Sequence, residues 1–329
     1  MEKTKSRILK ALRNRQGYLS GQELCEQLEI SRTAVWKNIK ALEAEGYEIE
    51  AVQNKGYCLK QVPDVMGAAE LESLLSTKWV GKNVQFKSSL DSTNLWAKQL
   101  AEAGAEAGTL AVAETQTRGR GRRGRAWTSP EGENIYMTLV LRPEIQPQDA
   151  PMLTLVMGLS AAQAAARVTG LSAGIKWPND VVLEKKKICG ILTEMSVQAE
   201  YVDYVVIGVG INVNQEHFPE ELEDKATSLR IQAGKKFRRA EIAAAVLEEF
   251  EKNYETFLKT CDLSGLQEAY GRQLLNRDQE VRILEKEGEW KGTARGINRS
   301  GELLVELPDG KIRTVFAGEV SVRGLYSYV

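Results

Sequence analysis

The first sixty residues pass from helical to strand periodicity. Ile8, Leu9, Ala11 and Leu12 share one helix face, and Ser20 stands as an N-cap before a second helix carrying Leu24, Cys25 and Leu28. After a short turn at Glu29 and Ile30, Ser31 caps a third helix whose stripe of Val35, Ile39 and Leu42 ends near Gly46. Residues 47–52 then alternate like a strand, 53–56 read as a turn, and Tyr57, Cys58 and Leu59 return as the partner strand. Three helices and a hairpin make a winged helix-turn-helix pattern. Arg32, Thr33, Trp36, Lys37 and Lys40 lie off the buried stripe of the third helix, where they supply cations for phosphates and side chains for base edges. They are the expected DNA contacts. Trp36 has an alternative place packed under the wing, and such modules also bind protein. DNA-bound modules of this type pair on half-sites related by a two-fold axis, so a homodimer is expected on DNA.

Residues 61–64, with Pro63, read as a linker, and from about residue 80 strand-like and helical runs are mixed. Strands are predicted at 84–90, 109–114, 134–141, around Ile175, at 181–183, 188–194 and 204–211; helices are predicted at 95–103, 153–168 and 239–258. Short strands at 281–283, 290–297, 303–307, 312–316 and 320–323 follow, separated by turns such as Arg299-Ser300-Gly301 and Pro308-Asp309-Gly310. The expected division of the α+β chain is 1–62, 63–275 and 276–329, in keeping with the roughly two or three domains that 329 residues form.

Composition narrows the chemistry. Hydrophobic residues make up 43% and charged residues 27%, an ordinary globular balance, and no apolar run is expected to reach a membrane span after the charged start. A cytoplasmic protein without a membrane partner is expected. The formal charge of −1 conceals a basic first module: residues 1–62 carry 11 Lys and Arg against 8 Glu, a net of +3. Cys25, Cys58, Cys189 and Cys261 never form a paired motif, so they are expected as buried thiols with no zinc site and no other metal ligands. His217 is the only histidine and sits in a polar stretch, which leaves little room for hydrolytic triads or metalloprotease motifs.

The most unusual segment is Arg118-Gly119-Arg120-Gly121-Arg122-Arg123-Gly124-Arg125. It contains the dinucleotide fingerprint G-x-G-x-x-G after a strand, but the chain continues through Trp127, Ser129 and Pro130 into another strand, not into the helix that a pyrophosphate site requires. The alternative reading is a loop whose glycines admit a ligand closely while forked guanidiniums hold phosphate or carboxylate; a basic surface loop remains open on this segment alone. Three further segments bear on it. Asp91-Ser92-Thr93-Asn94 joins a strand to a helix; Lys176 lies in an apolar strand before Trp177-Pro178-Asn179-Asp180; and 208–214 ends a hydrophobic strand in glycines and asparagines. No Walker lysine motif occurs, so a nucleotide needs another device.

Taken together, Asp91-Ser92-Thr93-Asn94, Gln116 with the loop of 119–125 and Trp127, Lys176 to Asp180, Gly190-Ile191-Leu192 and 208–212 resemble the biotin protein ligases. With the first module included, the resemblance spans essentially the whole chain and is to the bifunctional bacterial form, which joins biotin ligase and biotin operon repressor. It implies a class II synthetase-like mixed α/β catalytic domain and a C-terminal SH3-like β-barrel. It implies biotin and ATP as substrates with Mg²⁺, adenylation of biotin, and transfer to a lysine of a biotin carboxyl carrier protein. The biotinyl adenylate would also be the corepressor that favours a dimer on operator DNA.

The resemblance places Ser92, Thr93, Asn94, Gln116, Arg120, Gly121, Arg122 and Lys176 at biotin, and Arg122, Trp127, Lys176, Asn179 and Asn212 at the nucleotide. Arg120, Arg122 and Lys176 are the expected catalytic cations. Asp180 is a candidate acceptor for the proton of the incoming amine, and Arg118 receives no role. Two alternatives stand beside this reading: a lipoate ligase, against which the arginine loop and the winged helix argue, and a biotin-sensing repressor without ligase activity, against which Arg122 and Lys176 argue.

Overall fold

The computed structural model describes residues 2–285, 288–317 and 321–324. Helix α1 (Glu2–Arg13) leads to α2 (Gly21–Leu28), where Ser20 and Glu23 form a reciprocal capping box, and to α3 (Arg32–Ala44), capped by Ser31. Between α2 and α3 the turn is made by Glu29 in the left-handed conformation. Strands β1 (Glu48–Val52) and β2 (Gly56–Gln61) pair antiparallel as the wing. Ile8, Leu9, Leu24, Val35, Ile39, Leu42 and Tyr47 form this module's own core.

Helix α4 (Ala68–Leu74) was not legible in the sequence, where Met66, Gly67 and the alanines gave no clear apolar stripe. It is the bridge between the first module and the rest: α1 packs along it, and Glu70, only 1% exposed, receives both Arg13 at 2.6 Å and the Tyr47 hydroxyl at 2.7 Å. A buried carboxylate is tolerable because it is so paired.

The central sheet has seven strands: β3 (Asn83–Leu90), β4 (Thr109–Gln116), β5 (Ile135–Leu141), β6 (Gly174–Lys176), β7 (Asp180–Leu183), β8 (Lys186–Gln198) and β9 (Tyr201–Ile211). They run in spatial order β3-β4-β5-β9-β8-β7-β6, antiparallel except for the β3–β4 pair. Helix α5 (Thr93–Glu102) lies on one face, its Ala97 and Ala101 packed on Ala111, Val140 and Val206. The other face carries the two long helices α6 (Met152–Thr169) and α9 (Arg239–Phe257), which pack on each other. Short helices α7 (Glu220–Glu223) and α8 (Leu229–Ala233) precede α9, and α10 (Gln267–Gln273) follows it.

The chain does contain an apolar run of membrane length, which its sequence was not expected to hold. The stretch Pro147–Thr169 is long and apolar enough to cross a membrane by length and composition. Its apolar window is 72% buried inside the fold, as the core helix of this sheet.

The last domain consists of β10 (Glu280–Glu285), β11 (Gly288–Ile297), β12 (Leu303–Glu306), β13 (Ile312–Val315) and β14 (Ser321–Gly324), all antiparallel in the order β13-β12-β11-β10-β14. The five strands fall where the alternation predicts them, except that Val320 lies outside the described residues. Among the described residues β13 and β14 are the sheet's two edges, so the barrel is not closed there. Trp177, 1% exposed, ties this domain to the central one, donating from its indole to the Gly301 carbonyl at 3.0 Å and from its backbone to Asn276 at 2.8 Å.

Candidate functional site

Strand register builds the floor of a cleft. On the face shared with α5, Tyr136, Gly210 and Gly190 are neighbours across β5, β9 and β8, and Thr138, Gly208 and Leu192 form the next row. The glycines make a trough. A Cβ on Gly210 would stand 2.6 Å from the Trp127 indole and one on Gly190 2.8 Å, so the ring lies where only glycine fits below it. A Cβ on Gly208 would stand 1.9 Å from Asn94 Oδ1. The glycines that mark 208–212 in the sequence therefore admit Asn94 and Trp127 of the protein itself.

The N-terminus of α5 supplies one wall. Ser92 occupies the N-cap position but makes no capping bond with its side chain, and it is 3% exposed at the cleft. Gln116, at the end of β4, accepts the Thr93 backbone N–H at 2.9 Å and donates to Ser129 Oγ at 3.0 Å, which orients its amide.

The arginine-glycine segment forms a small hairpin over the cleft. Trp127 N–H donates to the Gly119 carbonyl at 2.9 Å and Gly121 N–H to the Arg125 carbonyl at 2.7 Å, around a turn at Arg122–Gly124 in which Arg123 and Gly124 are left-handed. Arg122 points inward, donating to Asn179 Oδ1 at 2.9 Å and to the Ala317 carbonyl of the last domain. Burial lowers its pKa from the ordinary arginine value.

The cleft holds about 460 Å³ of empty space, part of it open to solvent. Ser92, Thr93, Asn94, Gln116, Arg120, Gly121, Arg122, Trp127 and Asn179 all line it, brought together from three distant segments. Two expected residues do not. Lys176 is buried on β6, at 6% exposure and opposite Asp180 in the sheet, and does not line the cleft. Asn212 is likewise buried, its Nδ2 donating to the Thr227 carbonyl at 3.1 Å and its backbone N–H to Ile188 at 2.8 Å, which is a structural use.

A lysine that the sequence reading passed over stands in the cleft instead. Lys187, at the start of β8, lines it with Nζ 2.6 Å from Asp180 and 5.2 Å from the centre of the Trp127 ring. Its signal was hidden in the run Glu184-Lys185-Lys186-Lys187, which looks like a solvated turn. Ile188 and Cys189 are both buried, so strand alternation does not separate Lys187 from Lys186. Tyr136 was also missed; its hydroxyl donates to the Pro130 carbonyl at 2.9 Å. Burial pushes the adjacent Cys189 thiol up to about 12, which makes it an unreactive core group.

On the first module Arg32, Thr33, Trp36, Lys37 and Lys40 are all exposed while Val35, Ile39 and Leu42 are buried, so the helix divides as its periodicity predicts. Trp36 is 56% exposed, which excludes the packed alternative. Arg32 also lines an open groove between the start of α2 and the wing, with Ser20, Gly21, Lys55 and Tyr57. Among the described residues no group of three or more His, Cys, Asp or Glu could hold a metal ion. His217 is an exposed loop residue.

A polar and cationic cleft built on a mixed sheet, with a small β-domain beside it and a helix-turn-helix in front, defines a ligase-type catalytic domain carried by a DNA-binding protein. Comparison with known proteins makes this specific. Residues 86–212 match the biotin/lipoate A/B protein ligase family, residues 4–58 an HTH domain and residues 278–323 the biotin protein ligase C-terminal domain. The bifunctional ligase/repressor BirA of Bacillus subtilis is 40% identical over 307 residues, covering 93% of this chain and 94% of that protein. BirA of Escherichia coli is 33% identical and covers 92% of each. The structure of the Aquifex aeolicus biotin protein ligase in complex with biotin and ATP is similar at a TM-score of 0.65, with 34% identity, over 74% of this chain and 99% of that one. This chain belongs to the family of bifunctional biotin protein ligase/repressors.

Proposed function

We propose that the cleft converts biotin and ATP to biotinyl-5′-AMP and pyrophosphate, and passes the biotinyl group to a lysine of a biotin carboxyl carrier protein. The observation that carries this reading is the convergence of Thr93, Gln116, Arg122, Asn179 and Lys187 on one cleft. The hydroxyls of Ser92 and Thr93 and the Gln116 amide offer the mixed donors and acceptors that a ureido group needs. At the other end Arg120, Arg122 and Lys187 supply cations where a biotin carboxylate oxygen attacks the α-phosphorus and pyrophosphate leaves. Lys187 thus takes the role that the resemblance had placed on Lys176, and it also replaces Lys176 in the argument against a repressor without ligase activity. Trp127 covers the adenylate, and Asn179 orients Arg122.

In the second step the acceptor amine attacks the acyl carbon, the C–O bond to phosphate breaks and AMP leaves. Asp180, held by Lys187, is the carboxylate at this wall to take the amine proton. Mg²⁺ would be carried in on the nucleotide's phosphates, and Asp180 is the carboxylate at this wall that would help to hold it, in exchange for its pairing with Lys187. When bound it offsets phosphate charge.

The same adenylate is the corepressor. In this reading Arg32, Thr33, Trp36, Lys37 and Lys40 of the first module meet operator DNA, and a homodimer matches a two-fold operator. Among the described residues the part of β8 beyond Gly190 has no partner strand on the side away from β9, and it exposes Met195 and Val197. That open edge is the surface on which a second copy would pair.

Biotin-dependent exchange of labelled pyrophosphate into ATP tests the reading. Exchange with biotin is expected; exchange with lipoate in its place would make the chain a lipoate ligase, and no exchange with either would end the enzymatic reading.

A further inference from the structure

Thr138 lies in the middle of β5, has no exposed surface, and sits behind the cleft instead of lining it. Its hydroxyl is 2.9 Å from Thr93 Oγ1 and 2.9 Å from Asn94 Oδ1. We propose that Thr138 is a positioning residue for biotin's ureido group, acting through Thr93 and Asn94; this rests on reading Thr93 as a contact to that group.

The direction of each hydrogen bond carries the inference. Asn94 Nδ2 donates to the Leu192 carbonyl at 3.1 Å and to Glu194 at 2.9 Å, two partners that can only accept. Its Oδ1 therefore faces Thr138 and must accept. A hydroxyl has one proton, so the Thr138 proton goes to Asn94, and toward Thr93 the Thr138 oxygen offers only lone pairs. Gln116 Oε1, 3.1 Å from Thr93 Oγ1, also only accepts.

Both inward neighbours of the Thr93 hydroxyl are thus acceptors. Its proton is drawn away from the cleft, and its lone pairs are left for an N–H of the ligand. Asn94 has all its polar groups engaged within the fold, which makes it the anchor of this arrangement and not itself a side-chain contact to biotin. Without the Thr138 hydroxyl the Thr93 proton is held by Gln116 Oε1 alone, at the longer 3.1 Å, and Asn94 Oδ1 loses its donor, so both side chains at the start of α5 are freer to turn and Thr93 less firmly presents its lone pairs to a ligand donor.

The measurement is pyrophosphate exchange with biotin and with ATP varied separately, on the full chain, for Thr138→Val, Thr138→Ser and Thr138→Ala. For Thr138→Val the biotin KM is expected to rise about tenfold, with the ATP KM and the rate at saturating biotin within about twofold of native. Thr138→Ser and Thr138→Ala both lose the methyl group and differ in the hydroxyl, so they decide the matter even if the valine variant does not fold. Serine is expected to stay near native and alanine to follow valine. Equal biotin KM values for serine and alanine, or a valine variant within twofold of native, would overturn the inference while leaving the cleft's reading intact. A native chain without biotin-dependent exchange would overturn that reading and this inference with it.

Discussion

Lys187 Nζ stands 2.6 Å from Asp180 Oδ1 and 5.2 Å from the centre of the Trp127 ring. One ammonium is shared between a carboxylate and an aromatic face at a cleft wall where the two charged side chains are 23% and 14% exposed. In so little water a positive charge acts strongly on a ligand anion, and Asp180 keeps the lysine chain extended along the wall.

Replacing Lys187 by Met is therefore expected to lower kcat/KM for biotin-dependent exchange by about a hundredfold or more, the scale for loss of a preorganised charge at a reacting phosphate. Lys176→Met is expected to lower the melting temperature, since Lys176 is buried in β6, and to leave the biotin KM within about twofold of native. Steady-state exchange and thermal melting on both variants check this; a comparable loss of kcat/KM in a folded Lys176→Met would return the catalytic role to that residue.

The confusion between these two lysines marks what the sequence can convey. Hydrophobic pattern located the three helices of the first module, all seven central strands and the terminal strands, because a one-sided element repeats its buried face every two or every 3.6 residues and a strand covered on both faces, such as β5, reads as an unbroken apolar run. Short helices such as α4, α7 and α8 are held by what they pack against, and their sequences carry no such repeat. In the cleft, Ser92, Gln116 and the arginine loop were legible since their residue types are unusual for a strand end or a turn. Lys187 and Tyr136 were not, because a lysine in a charged run and a tyrosine in a hydrophobic strand are what any protein contains. Only register across β5, β9 and β8 brings them to the cleft.

The cleft floor makes a second prediction. Since a Cβ on Gly208 would lie 1.9 Å from Asn94 Oδ1, Gly208→Ala must push Asn94 aside and with it the start of α5. Biotin affinity measured by titration calorimetry should fall at least tenfold, about 1.4 kcal/mol. Gly67→Ala is the control, because a Cβ there meets nothing within 4 Å and the backbone is in the extended region; it should bind biotin as the native chain does. Native affinity in Gly208→Ala would refute the packing described.

Glu251 predicts an acid-sensitive part of the stability. This α9 carboxylate accepts the backbone N–H groups of Lys78, Trp79 and Val80 at 2.8 to 3.0 Å. Burial raises its pKa, but those hydrogen bonds outweigh it and leave the value below the ordinary 4.5. A folded-state pKa below the unfolded one means that the contribution is complete above 4.5 and is lost as the pH falls through the depressed value. Glu251→Gln should cost about 1 to 2 kcal/mol at neutral pH and make the decline of melting temperature below pH 4.5 shallower. An unchanged acid slope in the variant would show that other carboxylates set it.

The exposed face of α3 leads to the last prediction, which separates phosphate contact from base contact on operator DNA. Lys37 and Trp36 are adjacent, and both are exposed on the side opposite Val35 and Ile39. An ammonium that neutralises one phosphate releases about one counterion, so Lys37→Ala should weaken operator binding and reduce the slope of log K against log salt by about 0.9. Trp36 carries no charge. If it meets bases or sugars, Trp36→Ala should weaken operator binding at every salt concentration with the slope unchanged. Neither substitution touches the cleft, so biotin-dependent exchange should stay native in both, and fluorescence anisotropy across a salt series gives the slopes. A Trp36 variant that binds operator normally would place the base contacts elsewhere on the module. A Lys37 variant with the native salt slope would mean that the lysine stays hydrated in the complex, leaving Arg32 and Lys40 to carry the phosphate contacts of this helix.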